Sequence, residues 1–292
     1  MQRVSRFLQD NLGRLWLTGV FLFLYAPLFF LILFSFNSTR QDGVFTGFSM
    51  RWYQALLGDS RLVGGFFLSL NVAVIVATLS TILGTFSSYV LVRYPRFMGR
   101  SWFSGLVSAP LVMPEVIIGL SLLLLMVSIQ HAVGWPERGM TTIVIGHTLL
   151  GMAYATVVIS ARLRDMERTL EEAAIDLGCR PVQVFFLVTL PNILPSLIAA
   201  WMLTFTLSFD DVVISEFLSG PGVTTLPQVI FGYARRGINP AIYAAATLLI
   251  LTVSTGIMAY SIHTLRTQSR RDREIKAAMR TERGGVEAST LT

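Results

Sequence analysis

The chain has 292 residues, 53% of them hydrophobic and 14% charged, with a mean hydropathy of +0.63 and a formal net charge of +6. Soluble domains carry roughly 25% charged residues, and the apolar runs here are too long and too many for a soluble core, so a water-soluble globular protein is excluded. The basic residues flank apolar runs rather than alternating with aromatics, which argues against nucleic-acid binding, and the single cysteine, Cys179, excludes an intrachain disulfide.

Six runs are long enough to cross a bilayer, which takes about 20 apolar residues. They are 15–36, 66–92, 102–129, 141–160, 195–218 and 241–265. Each is expected to be a helix, because a segment in lipid must satisfy its own backbone groups. The first run is longer than a signal-peptide core and precedes polar Asn37-Ser38-Thr39 without a small-residue cleavage pattern, so it reads as a retained helix. Residues 50–57, in the loop after this run, predict a short amphipathic helix, with Trp52 and Tyr53 at headgroup depth. Residues 219–240 are rich in Pro and Gly and are expected to be ordered by turns, with a short re-entrant turn possible over 226–233. The basic tail, 266–292, reads as a helix extension that frays.

Orientation follows from the basic residues. With the N-terminal segment 1–14 inside, the outer loops hold 6 of the 23 Lys and Arg residues (Arg40, Arg51, Arg61, Arg138, Arg235 and Arg236), and the inner segments hold the other 17. This bias predicts six transmembrane helices with both termini cytoplasmic.

Four acids lie in or near the ends of these runs: Glu115, Asp210, Asp211 and Glu216. An ionised acid near the bilayer centre costs about 2.5–3.5 kcal/mol, so the acids demand a reason. Glu115 lies about 20 Å and Asp210 about 22 Å from the inner ends of their helices at 1.5 Å per residue. They are expected to form one acidic belt with Asp211, while Glu216 fits interhelical pairing or a place near the outer boundary. Pro110 and Pro114 predict a kink that turns Glu115 toward an aqueous cavity. Thr204, Ser208, Asp211 and Ser215 share one helical face, with Asp210 rotated about 100° away, and the spacing leaves open which aspartate faces the path. A second stripe, Asn71, Thr78, Thr81, Thr85 and Ser88, fits either close packing or cavity lining. An acidic path without basic residues in the spans favours a cation.

The only lysine is Lys276, so a G-x-x-x-x-G-K-[ST] phosphate loop is excluded. The histidines, His131, His147 and His263, lack metal-ligand spacing, and His147 reads as hydrogen-bonded within the bundle. No catalytic constellation stands out, so the chain reads as a non-enzyme with no metal site.

Between the fourth and fifth runs, residues 161–194 form the longest charged and amphipathic segment. Residues 162–179 predict a helix that Gly178 ends, and Pro181 opens a second short helix over 182–190. The segment contains Glu171, then Glu172-Ala173-Ala174, Gly178 and Val188-Thr189-Leu190-Pro191. That pattern resembles the E-A-A, three residues, G, nine residues, I-x-L-P signature of permease subunits in bacterial ATP-binding-cassette (ABC) importers, with Val188 in place of Ile. Tyr25-Ala26-Pro27, Arg51-Trp52-Tyr53, Ala109-Pro110-Leu111-Val112-Met113-Pro114-Glu115, Leu207-Ser208-Phe209-Asp210-Asp211 and Ser219-Gly220-Pro221-Gly222 look like spermidine/putrescine importer permeases, most of all the second permease of the putrescine system. Such permeases usually carry Asp where this chain has Glu115.

The resemblance implies a type I ABC importer permease fold in the bacterial inner membrane. It implies a different permease as pseudo-symmetric partner, two ATPase subunits that use ATP and Mg, and a periplasmic polyamine-binding protein; this chain would bind no cofactor. Glu171, Glu172, Ala173, Ala174, Gly178, Leu190 and Pro191 are then expected to couple to the ATPase, and Glu115, Asp210, Asp211, Ser208, Thr204 and Ser215 to line the substrate path. An importer for another cationic solute and an ion-coupled secondary transporter are the alternatives.

Overall fold

The computed structural model describes residues 2–39, 44–235 and 241–252, together with Ser254, Thr255, Met258 and Ile262, and side chains from Leu12 onward. Among these residues the secondary structure is helical, with one isolated antiparallel bridge, Asn37 to Phe48, and no strand. Five helical stretches are long and apolar enough to cross a membrane: Leu12–Ser35, Ser60–Arg93, Glu115–Val133, Met140–Asp165 and Pro181–Phe209. The expected sixth span is represented by an apolar helix, Ala241–Thr252. Most of its remainder, and the tail 266–292, lie outside the described residues.

The chain divides into two units. The first takes in Met1–Leu56 and Ile238–Thr292. Its helix α1 (Gln2–Ser35) begins well before the apolar run at Leu15. The amphipathic segment is helix α2 (Arg51–Gly58), but Trp52 is buried, and its indole N–H donates to the Asn37 carbonyl at 2.7 Å. Tyr53 shares a 2.7 Å hydrogen bond with Ser35. These side chains are fixed by partners in the chain, because the Asn37 side chain also ties the loop by bonding Val44 and Thr46.

The second unit, Leu57–Gly237, carries α3 (Ser60–Arg93), α4 (Arg100–Val112), α5 (Glu115–Val133), α6 (Met140–Asp165), α7 (Thr169–Asp176), α8 (Pro181–Val184), a π-helical turn (Phe185–Thr189), α9 (Leu190–Phe209), α10 (Val213–Leu218) and α11 (Leu226–Arg235). Helices α3, α6 and α9 pack mutually. Small residues permit this: a Cβ added at Gly84 of α3 would lie 2.6 Å from the Cβ of Ala155 on α6. In lipid, close backbone approach replaces the hydrophobic effect as the source of helix association. Ser88 donates across the same seam to the Thr156 carbonyl at 2.9 Å, and Ser80 is buried against α6. Ser88 of the second polar stripe therefore serves packing; Thr78 is exposed and accepts a 3.2 Å bond from the Trp201 indole. Two apolar clusters complete the unit, one around Val76, Leu122, Ile143 and Ile214, the other around Ile159, Leu163 and Ile193.

Two expected spans are broken. The kink predicted near Glu115 is a full interruption: Met113 is extended (φ −79°, ψ 138°), as the residue before a proline tends to be. Pro114 is extended as well, and Glu115 is the first residue of α5. The fifth span is broken at 210–212, between α9 and α10. Near the loop 161–194 the boundaries also differ. Helix α6 runs on to Asp165 and extended Met166 separates it from α7, so 162–179 is two helices. The second short helix runs through the π turn into α9 without a break. Residues 226–233, where a turn was expected, belong to α11.

Candidate functional site

The break at 210–212 has a specific cause. With no proline or glycine there, the Asp211 carboxylate takes over the exposed N–H groups of the next helix. Its Oδ2 accepts from the Ser215 N–H at 2.8 Å and its Oδ1 from the Ile214 N–H at 3.3 Å. A short acidic side chain at a helix start offers the backbone an alternative to continuing the preceding helix.

His147 of α6, 4% exposed, meets this turn from the side. Its Nε2 lies 3.1 Å from Asp211 Oδ2 and 3.2 Å from Ser215 Oγ, and its Nδ1 lies 2.8 Å from Ser208 Oγ. The carboxylate accepts only, so Nε2 carries the proton toward Asp211. Thr204 and Ser215 are fully buried and Ser208 nearly so. The polar face predicted for the fifth span thus survives the break, because α10 resumes with Ser215 on the same side.

Beside this cluster lies a cavity of about 360 Å³. Glu115 reaches it from the start of α5, Asp210 and Asp211 from the break, His147 from α6, and Thr204 and Ser208 from α9. The structure brings all three acids of the expected belt to one cavity, and its described lining holds no Lys or Arg. Glu115 and Asp210 are exposed; Asp211 is tied down. Ser215 bonds His147 without lining the cavity. Glu216 is outside this group and accepts a 3.1 Å bond from Gln228 on α11. The expectation of a hydrogen-bonded His147 is met, but its proximity to Asp211, 64 residues away, carries no sequence signal.

The second group of candidate residues lies on α7 and along the chain from there to the start of α9. Gly178 has φ +88°, and the Cys179 N–H bonds the Ala174 carbonyl at 3.0 Å while the Gly178 N–H bonds the Ile175 carbonyl at 2.8 Å. This is a Schellman ending, which needs a left-handed residue and favours glycine. No residue of α7 is fully buried; Glu172 and Ala173 are exposed and Ala174 is half-buried. Glu171 points inward instead, within 2.9 Å of Arg93 and accepting from Thr189 at 2.7 Å. Leu190 and Pro191 open α9 directly after the π turn. Pro191 lacks the N–H that an α-helix would send to residue 187, which accounts for the wider turn before it.

Comparison with known proteins gives a consistent grouping. The family described as binding-protein-dependent transport system inner membrane component matches residues 78–266. The putrescine transport system permease protein PotI of Escherichia coli K12 is 50% identical over 262 residues, covering 89% of this chain and 93% of that one. The spermidine/putrescine transport system permease protein PotC of Haemophilus influenzae is 34% identical over 232 residues, covering 80% and 88%. Among solved structures, a bacterial ABC transporter involved in import of the acidic polysaccharide alginate superposes with a TM-score of 0.67 at 15% identity, covering 88% of this chain and 96% of that one. The MetNI methionine ABC transporter superposes with a TM-score of 0.57 at 18% identity, covering 70% and 95%. These two share the fold.

Proposed function

Because the chain belongs to the family of inner membrane components of binding-protein-dependent transport systems, we propose that it is a permease subunit of an ATP-driven importer for polyamines. It is a transport subunit rather than an enzyme. The observation that carries the substrate class is the cavity lined by Glu115, Asp210 and Asp211 without a Lys or Arg. A polyamine is a chain of ammonium groups, and carboxylates replace part of the hydration it loses, while remaining weak enough to release it. The 50% identity to a putrescine permease supports the same choice.

In this reading six helices span the membrane, the tail 266–292 completing the cytoplasmic side together with the N-terminus, as the distribution of Arg and Lys favours. The path past Glu115, Asp210 and Asp211, with Thr204, Ser208 and Ser215 behind them, opens alternately to either side. A second permease completes the path, a binding protein delivers substrate, and two ATPase subunits hold ATP and Mg. Glu172, Ala173 and Ala174 on α7 and Gly178 just after it meet the ATPase, with Leu190 and Pro191 shaping the base of α9.

The test is reconstitution with candidate partners and measurement of ATPase stimulation by binding protein carrying putrescine, spermidine or neither. Stimulation by a loaded form above the empty form is expected; equal rates in all three cases overturn the polyamine reading.

A further inference from the structure

We propose that Glu171 is an internal strut rather than an ATPase contact: with Arg93 and Thr189 it fastens α7 to the ends of α3 and α9. The proposal rests on the reading of α7 as the partner-facing helix. Arg93 is the last residue of α3. Its Nε lies 2.9 Å from Glu171 Oε2 and 3.1 Å from Oε1, and the two side chains are 8% and 13% exposed. Thr189, fully buried, donates its hydroxyl to Glu171 Oε1 at 2.7 Å. Arg168, just ahead of α7, adds a second tie to α3 by donating to the Val92 carbonyl at 3.2 Å. The π turn belongs to this arrangement: it buries Thr189 while its neighbours Phe186 and Leu187 stay exposed.

The strut separates two faces of α7. Glu172, Ala173 and Leu177 are exposed and free to meet a partner. Glu171, one residue away, is spent on the fold. The Nη2 of Arg93 is buried without a hydrogen-bond partner among the described residues, and Glu171 is the acceptor its Nε meets. A guanidinium stays protonated under all working conditions, so removing the carboxylate leaves a buried charge.

The strut also has a direction. Thr189 immediately precedes α9, a 20-residue helix that ends at Phe209, beside Asp210 and Asp211. A displacement of α7 is passed through Glu171 to the base of α9 and along about 30 Å of helix to the acidic cavity. Without the strut, α7 would move with its partner while α9 lagged.

The test uses the complete complex in proteoliposomes, with Glu171→Arg, Arg93→Glu, the double exchange, Glu171→Gln and Glu172→Gln. Co-purification reports assembly, and uptake per ATP hydrolysed reports coupling. Each single reversal is expected to leave assembly intact and reduce uptake per ATP by at least about tenfold, the scale of an unpaired buried charge. The double exchange is expected to recover most of that loss, and Glu171→Gln, which keeps an acceptor for Thr189, to fall between. Glu172→Gln is expected to weaken assembly instead. Loss of assembly in Glu171→Arg without recovery in the double exchange overturns the strut and makes Glu171 a partner contact. Single variants that couple normally also overturn it. Failure of the wild-type complex to couple ATP to uptake would overturn the functional reading instead; the strut is then judged by thermal unfolding of the detergent-solubilised chain, where additive effects of Arg93 and Glu171 substitutions refute it and non-additive effects support it.

Discussion

Asp210-Asp211 and Glu171-Glu172 are both pairs of adjacent acids, and in each the fold engages one member and leaves the other exposed. The engaged members differ in what holds them. Glu171 faces an arginine, a permanent cation that cancels its charge. Asp211 is held by two backbone N–H groups and a histidine, donors that need carry no charge. The α7 segment therefore pairs its buried acid with a fixed cation, and the cavity orients its acid mainly through hydrogen bonds. That contrast suits their proposed tasks: a mechanical joint gains from a fixed ion pair, while a cation path gains from carboxylates that are oriented yet still negative.

The contrast breaks most visibly at Asp211. Asp211→Ala removes the cap of α10, leaves two N–H groups without their acceptor and leaves His147 Nε2 only Ser215 as a neighbour. It is expected to destabilise the unit by about 1–3 kcal/mol and to abolish uptake. Asp210→Asn is expected to leave thermal unfolding unchanged and to raise the KM for polyamine uptake about tenfold, the scale of one charged contact. If Asp210→Asn lowers the melting temperature as much as Asp211→Ala, the division between engaged and free acids is wrong.

Gly178 offers the next test. Any Cβ at φ +88° is strained, at about 1–2 kcal/mol for a left-handed residue. Nothing lies within 4 Å of the position an added Cβ would take, so the effect is conformational rather than steric crowding. Gly178→Ala is expected to reduce ATPase stimulation by loaded binding protein while the membrane helices keep their thermal stability. Gly178→Asn, which visits the left-handed region more readily, is expected to retain more stimulation than Ala. Equal loss in both would point to a contact at Gly178 rather than its backbone.

Much of this was legible in the sequence, and the reasons for the rest are physical. Lipid demands long apolar runs, so the five long apolar helical stretches were visible in outline. The E-A-A spacing and Gly178 declare the turn after α7 because a Schellman ending needs its glycine at one position. The break before Glu115 was half visible in Pro110 and Pro114, whose local effect on the backbone is strong. The break at 210–212 was not: Asp211 caps α10 through local bonds that no proline or glycine announces, and the histidine that meets it comes from another helix. The Trp52 hydrogen bond was not visible either, because an aromatic on an amphipathic helix looks the same whether it faces lipid or the Asn37 carbonyl. Glu171 gave no sign of its engagement, since its partner Arg93 lies 78 residues away and its neighbour Glu172 has the same chemistry.

His147 sharpens the comparison from the cavity side, with a smaller expected effect. His147→Ala removes a donor to Asp211 and the partner of Ser208, at about 1 kcal/mol per hydrogen bond, while the two N–H groups of α10 still hold the carboxylate. The KM for uptake is therefore expected to rise about five- to tenfold with little change in maximal rate, and His147→Gln, which keeps one donor, to rise less. A fall in maximal rate with unchanged KM would show that His147 serves the conformational cycle instead of orienting Asp211.

Asp59 supplies a third engaged acid against which the other two can be measured, and the smallest effect. It caps α3, accepting from the Arg61 and Leu62 N–H groups, and its Oδ2 accepts from the Tyr233 hydroxyl of α11 at 2.7 Å. Burial pushes its pKa up, but the Tyr233 hydrogen bond, the two backbone bonds and the nearby Arg61 charge outweigh this and hold it below the usual 3.8. A carboxyl with a lowered folded pKa stabilises the fold above its unfolded value, and that contribution disappears as pH falls through the folded value. Thermal unfolding from about pH 6 to about pH 3 should therefore show a loss of stability in the wild type that is shallower in Tyr233→Phe, and shallower still in Asp59→Asn. Asp59 is half-buried, and the difference should shrink in high salt only to the extent that Arg61 contributes. An Asp59→Asn profile as steep as the wild type would mean that the acid-sensitive groups lie elsewhere.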